Sequence, residues 1–172
     1  MTRRIGIFLA GVLALGGPAM AEEFATRAQA MDYLGKALPQ ATAANPKYTA
    51  KGDGALSRWL TDEVLFAADA SGAVKVTMRE SYWQTQAGKT TPGTHEAAFS
   101  LAEVKISDFS APDDLTPEGA PARGVIFTCA KPGCIAALWS GQPSRADKTD
   151  IYIQDDATRA KILAALRRLQ SQ

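Results

Sequence analysis

The sequence predicts an α+β fold, in which an antiparallel sheet of about six or seven strands is flanked by an N-terminal and a C-terminal helix. Residues 24–40 and 155–170 have apolar side chains at helical spacing. Residues 73–86 alternate strictly between apolar and polar side chains, which is typical of a half-buried strand. Several shorter apolar segments follow, separated by glycine and proline, so most of the middle of the chain is predicted to be β-structure.

The first 21 residues have the pattern of a cleaved export signal. Arg3 and Arg4 precede an apolar run from Ile5 to Leu15, and Ala19-Met20-Ala21 matches the small-residue cleavage rule. The run is shorter than the roughly 20 residues that a membrane-spanning helix needs. We therefore predict cleavage after Ala21, a location in the periplasm or outside the cell, and no transmembrane segment in the mature protein.

The mature protein has the length of one domain and almost no net charge. Loss of Arg3 and Arg4 changes the formal net charge from +1 to −1, and the remaining basic residues are scattered. A neutral surface of this kind argues against binding to nucleic acid or to an acidic membrane. We expect an N-terminal helix and loop in residues 22–55 and the β domain with its closing helix in residues 56–172.

The N-terminal helix has a recognisable start and end. Thr26 is a suitable N-cap, and a buried stripe is predicted from Ala30, Met31, Leu34 and Leu38. Pro39 suggests that the helix ends there, and a loop is expected to reach about Ser57.

The predicted strands lie between residues 64 and 154. They occupy residues 64–68, 73–86, a part of 90–102, 103–109, 123–130, 134–140 and 150–154. The composition of residues 87–89 predicts a hairpin turn, and surface loops are expected at 110–121 and 141–149 because both contain proline and glycine. The chain then ends in a helix capped by Asp155 or Asp156, with Ile162, Ala165, Leu166 and Leu169 on its buried face.

Both cysteines lie in the segment TCAKPGCI, residues 128–135. The flanking residues are strand-like, and a four-residue loop is common in hairpins, so Cys129 and Cys134 are expected to face each other across a strand pair. Such a pair has a Cα separation that a disulfide tolerates, and exported proteins meet an oxidising compartment. We predict a structural disulfide. The alternatives are redox exchange, part of a metal site, or two free thiols.

The order of elements resembles the pleckstrin-homology-like (PH-like) domains of small secreted bacterial proteins. The cysteine hairpin and the closing helix DDATRAKILAALRRL carry the resemblance, which covers residues 56–170. It implies a bent antiparallel sheet with a C-terminal capping helix, and it brings no catalytic residues. Related folds bind lipid headgroups and peptides through basic loop clusters, which this chain lacks.

Three residues are candidates for function. His95 is the single histidine and is a possible general base, although its neighbour Glu96 should point to the opposite strand face. Trp83 should face outward if the strand alternates without a bulge, because Tyr82 then faces the core. Trp139 is the second outward candidate, and tryptophan is frequent among binding hot spots. For each residue the alternative is an ordinary packing or surface role.

These observations favour a binding or accessory protein of unknown ligand, without catalytic activity, cofactor or metal. A protein or peptide of the cell envelope is the expected partner, bound through a sheet face, an edge strand or the 110–121 loop. The alternative is a small periplasmic hydrolase centred on His95.

Overall fold

The computed structural model describes residues 24–43, 47–50, 56–116 and 119–171, so the predicted signal peptide (residues 1–21) lies outside the described part. The α+β class is confirmed. The described residues form two helices, a short 3₁₀ turn at Leu101–Glu103, and nine strands. They are α1 (Arg27–Ala43), β1 (Lys47–Ala50), β2 (Leu56–Ala68), β3 (Val74–Gln86), β4 (Lys89–Ser100), β5 (Val104–Leu115), β6 (Pro121–Cys129), β7 (Ile135–Trp139), β8 (Gln142–Ala146), β9 (Lys148–Tyr152) and α2 (Asp156–Gln170).

The strands pair in the order β8-β7-β4-β3-β2-β1-β5-β6-β9, and every pair is antiparallel. There are more strands than the six or seven predicted because two predicted loops contain strands. β1 lies in the loop expected before Ser57, and β8 lies in the loop expected at 141–149. The predicted 110–121 loop is also mostly strand, since β5 continues to Leu115 and β6 begins at Pro121.

One face of the sheet packs against both helices, and we call it the inner face. It carries Val76, Met78 and Phe99, which are all buried. The same hydrophobic cluster includes Leu34 and Leu38 of α1 and, from α2, Ile162, Ala165, Leu166 and Leu169. The opposite face is the outer face. Apolar residues of both helices and of the sheet therefore form one continuous core.

Helix α1 begins as predicted but continues further. The Thr26 hydroxyl accepts a hydrogen bond from the Gln29 amide (3.2 Å), and the Gln29 side chain accepts one from the Thr26 amide (3.1 Å). This is a capping box, which satisfies two amide donors at the helix start. Pro39 lies inside the helix, which ends at Ala43. The predicted buried stripe is found at Ala30, Leu34 and Leu38, while Met31 is only partly buried.

Helix α2 matches the prediction closely. Asp155 is the N-cap and accepts a hydrogen bond from the Thr158 amide. Arg159 is 7% exposed and donates to Asp108 (2.7 Å) and Asp156 (2.6 Å). Burial opposes its charge, but these hydrogen bonds outweigh burial and raise the pKa of Arg159. Neither described helix is long and apolar enough to cross a membrane.

The predicted β6–β7 hairpin is wrong. β6 pairs with β5 and β9, and β7 pairs with β4 and β8. Residues 142–152 form two successive strands, of which β8 pairs with β7 and β9 pairs with β6. Residues 130–134 are therefore a loop inserted between two strands that do not pair with each other.

The cysteine sulfurs nevertheless lie at disulfide distance, 2.10 Å, with a Cα separation of 5.7 Å. The bond closes the inserted loop across its base. The loop is also tied to the connection between β8 and β9, because the Gly133 amide donates to the Asp147 carboxylate (2.6 Å). The disulfide thus stabilises the corner where the chain passes from one end of the sheet to the other.

Candidate functional site

The inner face changes character along β3. Its register rows change from an apolar row to a row with an ionisable pair, each across β2, β3, β4 and β7, and then to an aromatic row across β2, β3 and β4. In that order the rows are Val64–Met78–Ala97–Ala137, then Thr61–Glu80–His95–Trp139, then Trp59–Tyr82–Gly93. The first row belongs to the buried core, and the other two form the candidate site.

A β-bulge in β2 places Trp59 in this site. Val64 pairs with Met78 on the inner face, so plain alternation would turn Trp59 to the outer face. The register shifts between Thr61 and Glu63, which adds one residue to β2 at this point. Bulges re-aim side chains in this way. Trp59 consequently reaches the inner face and stacks on Tyr82, with ring centroids 4.7 Å apart.

Glu80 and His95 form a buried pair in the middle row. The side chains are 11% and 9% exposed, and His95 Nδ1 lies 2.8 Å from Glu80 Oε2. The Thr61 hydroxyl donates to the other carboxylate oxygen (3.3 Å). With Glu80 ionised, its carboxylate only accepts hydrogen bonds, so Nδ1 is the donor in this pair. The pairing leaves Nε2 as the ring nitrogen that can contact another molecule.

Nε2 has no hydrogen-bond partner among the described residues. No buried side-chain nitrogen or oxygen in the described part lacks a partner, so Nε2 is not sealed from solvent. A neutral imidazole would accept a hydrogen bond there, and a protonated one would donate.

Four rings, including that of His95, pack together in this part of the inner face. We call Trp59, Tyr82, His95 and Trp139 the aromatic cluster. Trp139 lies against His95 (centroids 4.1 Å apart) and meets Trp59 edge to face (5.7 Å, interplanar angle 90°). Tyr82 lies 6.1 Å from Trp139. Trp139 is nevertheless 42% exposed. The cluster is therefore a packed layer with one indole open to solvent.

Gly93 gives Tyr82 its place in the cluster. Tyr82 and Gly93 are register partners, and a Cβ added at Gly93 would overlap the phenol ring. The Tyr82 ring thus lies across the bare backbone of β4. Its hydroxyl is 3.2 Å from the Ser140 hydroxyl. Ser140 and Gly141 both have positive φ and form the two-residue turn between β7 and β8.

The structure brings two of the three predicted candidates together. His95 and Trp139 are register partners and touch. Trp83 is one residue from Tyr82 and lies on the outer face, where the Arg58 guanidinium is 5.2 Å from its ring. Trp83 and Trp139 were both expected to face outward, but Trp139 lies on the inner face. The two tryptophans therefore do not form one surface.

Glu80 was not predicted as the partner of His95. The signal was present in the predicted turn at 87–89. Ala87 and Gly88 both have positive φ and form a two-residue turn, which pairs Gln86 with Lys89. Counting back along both strands from that pair places Glu80 opposite His95. Trp59 could not be found in this way because the bulge is not visible in the pattern.

The pair has the geometry of a base and the group that orients it, which is part of a catalytic arrangement. The third part, a hydroxyl bonded to Nε2, is not seen in the described residues, where the Tyr82 and Ser140 hydroxyls bond each other. No group of three or more metal-ligating side chains occurs in the described part of the chain.

A scan against protein-family models found no matching family, and searches of curated proteins and of solved structures found no match. The geometry of the inner face is therefore the basis for any statement about function.

Proposed function

We propose that this protein is an exported, non-catalytic binding or accessory protein whose ligand site is the aromatic cluster. The observation that carries the proposal is Trp139, a large aromatic side chain that is 42% exposed while touching three buried or half-buried rings. Tryptophan and tyrosine are enriched among the residues that dominate binding energy. A ligand that covers Trp139 would remove apolar surface from water without rearranging the layer beneath it.

Export is the second part of the proposal. The basic, apolar and small-residue segments of residues 1–21 support it. The cysteine pair at disulfide distance is compatible with an oxidising compartment, and the periplasm is the compartment we propose. The closing helix α2 after an antiparallel sheet also supports kinship with PH-like domains.

The three tryptophans provide the test. The oxidised protein is labelled with 5-fluorotryptophan, and each of the three ¹⁹F resonances is assigned from one Trp→Phe variant. Probes of different chemistry are then added: neutral and charged oligosaccharides, short peptides, a fatty acid and a quaternary ammonium salt. Binding at the proposed site shifts the Trp59 and Trp139 resonances. Trp83, on the outer face, is the internal control.

The matched variants are Trp139→Ala and Leu138→Ala. Leu138 is the adjacent residue, is 38% exposed, and points to the outer face. Binding that is lost with Trp139→Ala and kept with Leu138→Ala supports the proposal. A response confined to Trp83, or no response to any probe, contradicts it.

The second candidate function is a small hydrolase centred on His95, and the Glu80–His95 hydrogen bond of 2.8 Å favours it. In that case a bound probe would be converted to product, and His95→Gln would abolish conversion while weakening binding only in part. Product analysis by mass spectrometry after prolonged incubation separates the two functions. A probe that is recovered unchanged supports the binding protein.

A further inference from the structure

We infer that the ligand of the aromatic cluster is a neutral carbohydrate, which stacks on Trp139 and hydrogen-bonds to His95 Nε2 and to the Tyr82 and Ser140 hydroxyls. This inference rests on the proposed function, since it names the chemistry of the ligand for the same site. It depends on three features of the described residues: the charge of the site, its rim, and the way in which its rings pack.

The charge of the site is already compensated. In the two rows that form it, Glu80 is the carboxylate, and His95 and Thr61 occupy both of its oxygens. The row that contains Trp139 includes no lysine or arginine, and the row of Trp59 continues to Lys47 of β1, at the end away from Trp139. A cationic ligand on Trp139 would need an unpaired carboxylate beside it, and an anionic ligand would need a lysine or arginine there, and the row of Trp139 offers neither. An uncharged ligand is the one that leaves no buried charge uncompensated.

The rim is made of hydroxyl and amide side chains. The next row along β2, β3 and β4 on the inner face is Ser57–Gln84–Thr91, and Gln142 of β8 is the register partner of Trp139. Hydroxyl and amide groups both donate and accept hydrogen bonds, as sugar hydroxyls do. A ligand with many hydroxyls would satisfy such a rim, whereas an apolar ligand would leave it unpaired.

The packing of the rings excludes a ligand that must enter the core. Neighbouring rings of the cluster have centroids 4.1 to 6.4 Å apart, which is direct contact. A lipid chain needs a deep apolar pocket, and rings that contact each other do not form such a pocket between them. The ligand must therefore lie flat on the exposed indole. A pyranose ring offers an apolar C–H face for this contact and a hydroxyl edge for the rim.

The test compares sugars that differ in charge. Chitotriose and cellotriose are the neutral probes, the deacetylated chitosan trimer is the cationic probe, and trigalacturonate is the anionic probe. A short peptide and dodecanoate represent other ligand classes. Each is titrated into the ¹⁹F-labelled oxidised protein at 50 mM and 500 mM NaCl. The expected result is saturable movement of the Trp139 resonance by a neutral trisaccharide, with a Kd that changes less than about twofold with salt because no ion pair forms.

Variants locate the contacts. Trp139→Ala should weaken binding at least about tenfold, as expected for a hot-spot residue, and Tyr82→Phe should weaken it less because it removes one hydroxyl. Trp83→Ala should not change ligand binding. Unchanged ¹⁹F resonances of Trp59 and Trp139 in this variant show that the fold is intact. Binding of charged probes, the peptide or dodecanoate in place of neutral sugars overturns the carbohydrate inference and leaves the proposed function standing. No movement of Trp59 or Trp139 with any probe overturns both.

Discussion

Gly93→Ala should destabilise the protein because the new Cβ overlaps the Tyr82 ring. The ring then has to leave β4, which disrupts its stacking on Trp59 (4.7 Å) and its hydrogen bond to Ser140 (3.2 Å). An aromatic pair contributes about 0.5–1.5 kcal/mol beyond its buried area, and a hydrogen bond contributes about 0.5–1.5 kcal/mol. Alanine itself is better than glycine in a strand by roughly 0.5–1 kcal/mol. The expected net loss is about 1–2 kcal/mol in the free energy of unfolding.

A double-mutant cycle in urea, followed by tryptophan fluorescence, measures this effect. In a Tyr82→Ala background no ring is displaced, so Gly93→Ala should be neutral or stabilising. The coupling energy between the two positions should therefore be about 2 kcal/mol. Gly35→Ala is the control for the substitution itself, because a Cβ at Gly35 meets nothing within 4 Å. The same loss from Gly93→Ala in both backgrounds would show that the Tyr82 ring is not the cause.

Three further predictions concern stability and use urea unfolding. Glu80→Ala should cost about 1–3 kcal/mol because it leaves the buried His95 without its hydrogen-bond partner. Lys36→Ala, which removes an exposed pair with 74% and 66% exposed side chains, should cost less than about 1 kcal/mol, and equal losses would contradict the burial argument. Reduction of the disulfide should cost about 2 kcal/mol on the chain-entropy model, and an unchanged urea midpoint would refute this. Hydrogen bonding to the Arg159 guanidinium lowers the pKa of Asp156 below 3.8. The stabilisation that the ionised Asp156 provides is therefore present above pH 3.8 and is lost as the pH falls through the lower folded-state pKa. Asp156→Asn should make the free energy of unfolding depend less on pH in this acid range, and an unchanged dependence would exclude the assignment.

The parts of the fold that could be predicted are those that local patterns determine. The apolar spacing of α2 and its Asp155 cap are contained within one short segment, and so is the alternation of β3. The Ala87–Gly88 turn then determines the register of β3 with β4, which is why the Glu80–His95 contact was within reach of the sequence. Each of these features depends on residues that are close in the chain.

The parts that were missed depend on pairing between distant segments. The cysteine loop has the length and flanks of a hairpin, but β6 and β7 each gain a different pair of neighbours from elsewhere in the chain. A disulfide over five residues is compatible with either arrangement, so the spacing of the cysteines did not distinguish a hairpin from an inserted loop. The bulge in β2 is similar, since only pairing with β3 reveals the extra residue that turns Trp59 inward.

Stability alone does not explain the composition of the site. If the aromatic cluster only covered the core, apolar residues in place of Glu80 and His95 would stabilise the protein equally well. Replacing a buried ion pair with packed apolar side chains is often neutral or stabilising by about 1–4 kcal/mol. A side chain that only covered the core would also not need to be 42% exposed, as Trp139 is. The buried pair instead leaves one imidazole nitrogen without a partner among the described residues, on a ring that lies against that indole. An oriented polar atom next to an open apolar surface is the arrangement that recognition of a ligand requires.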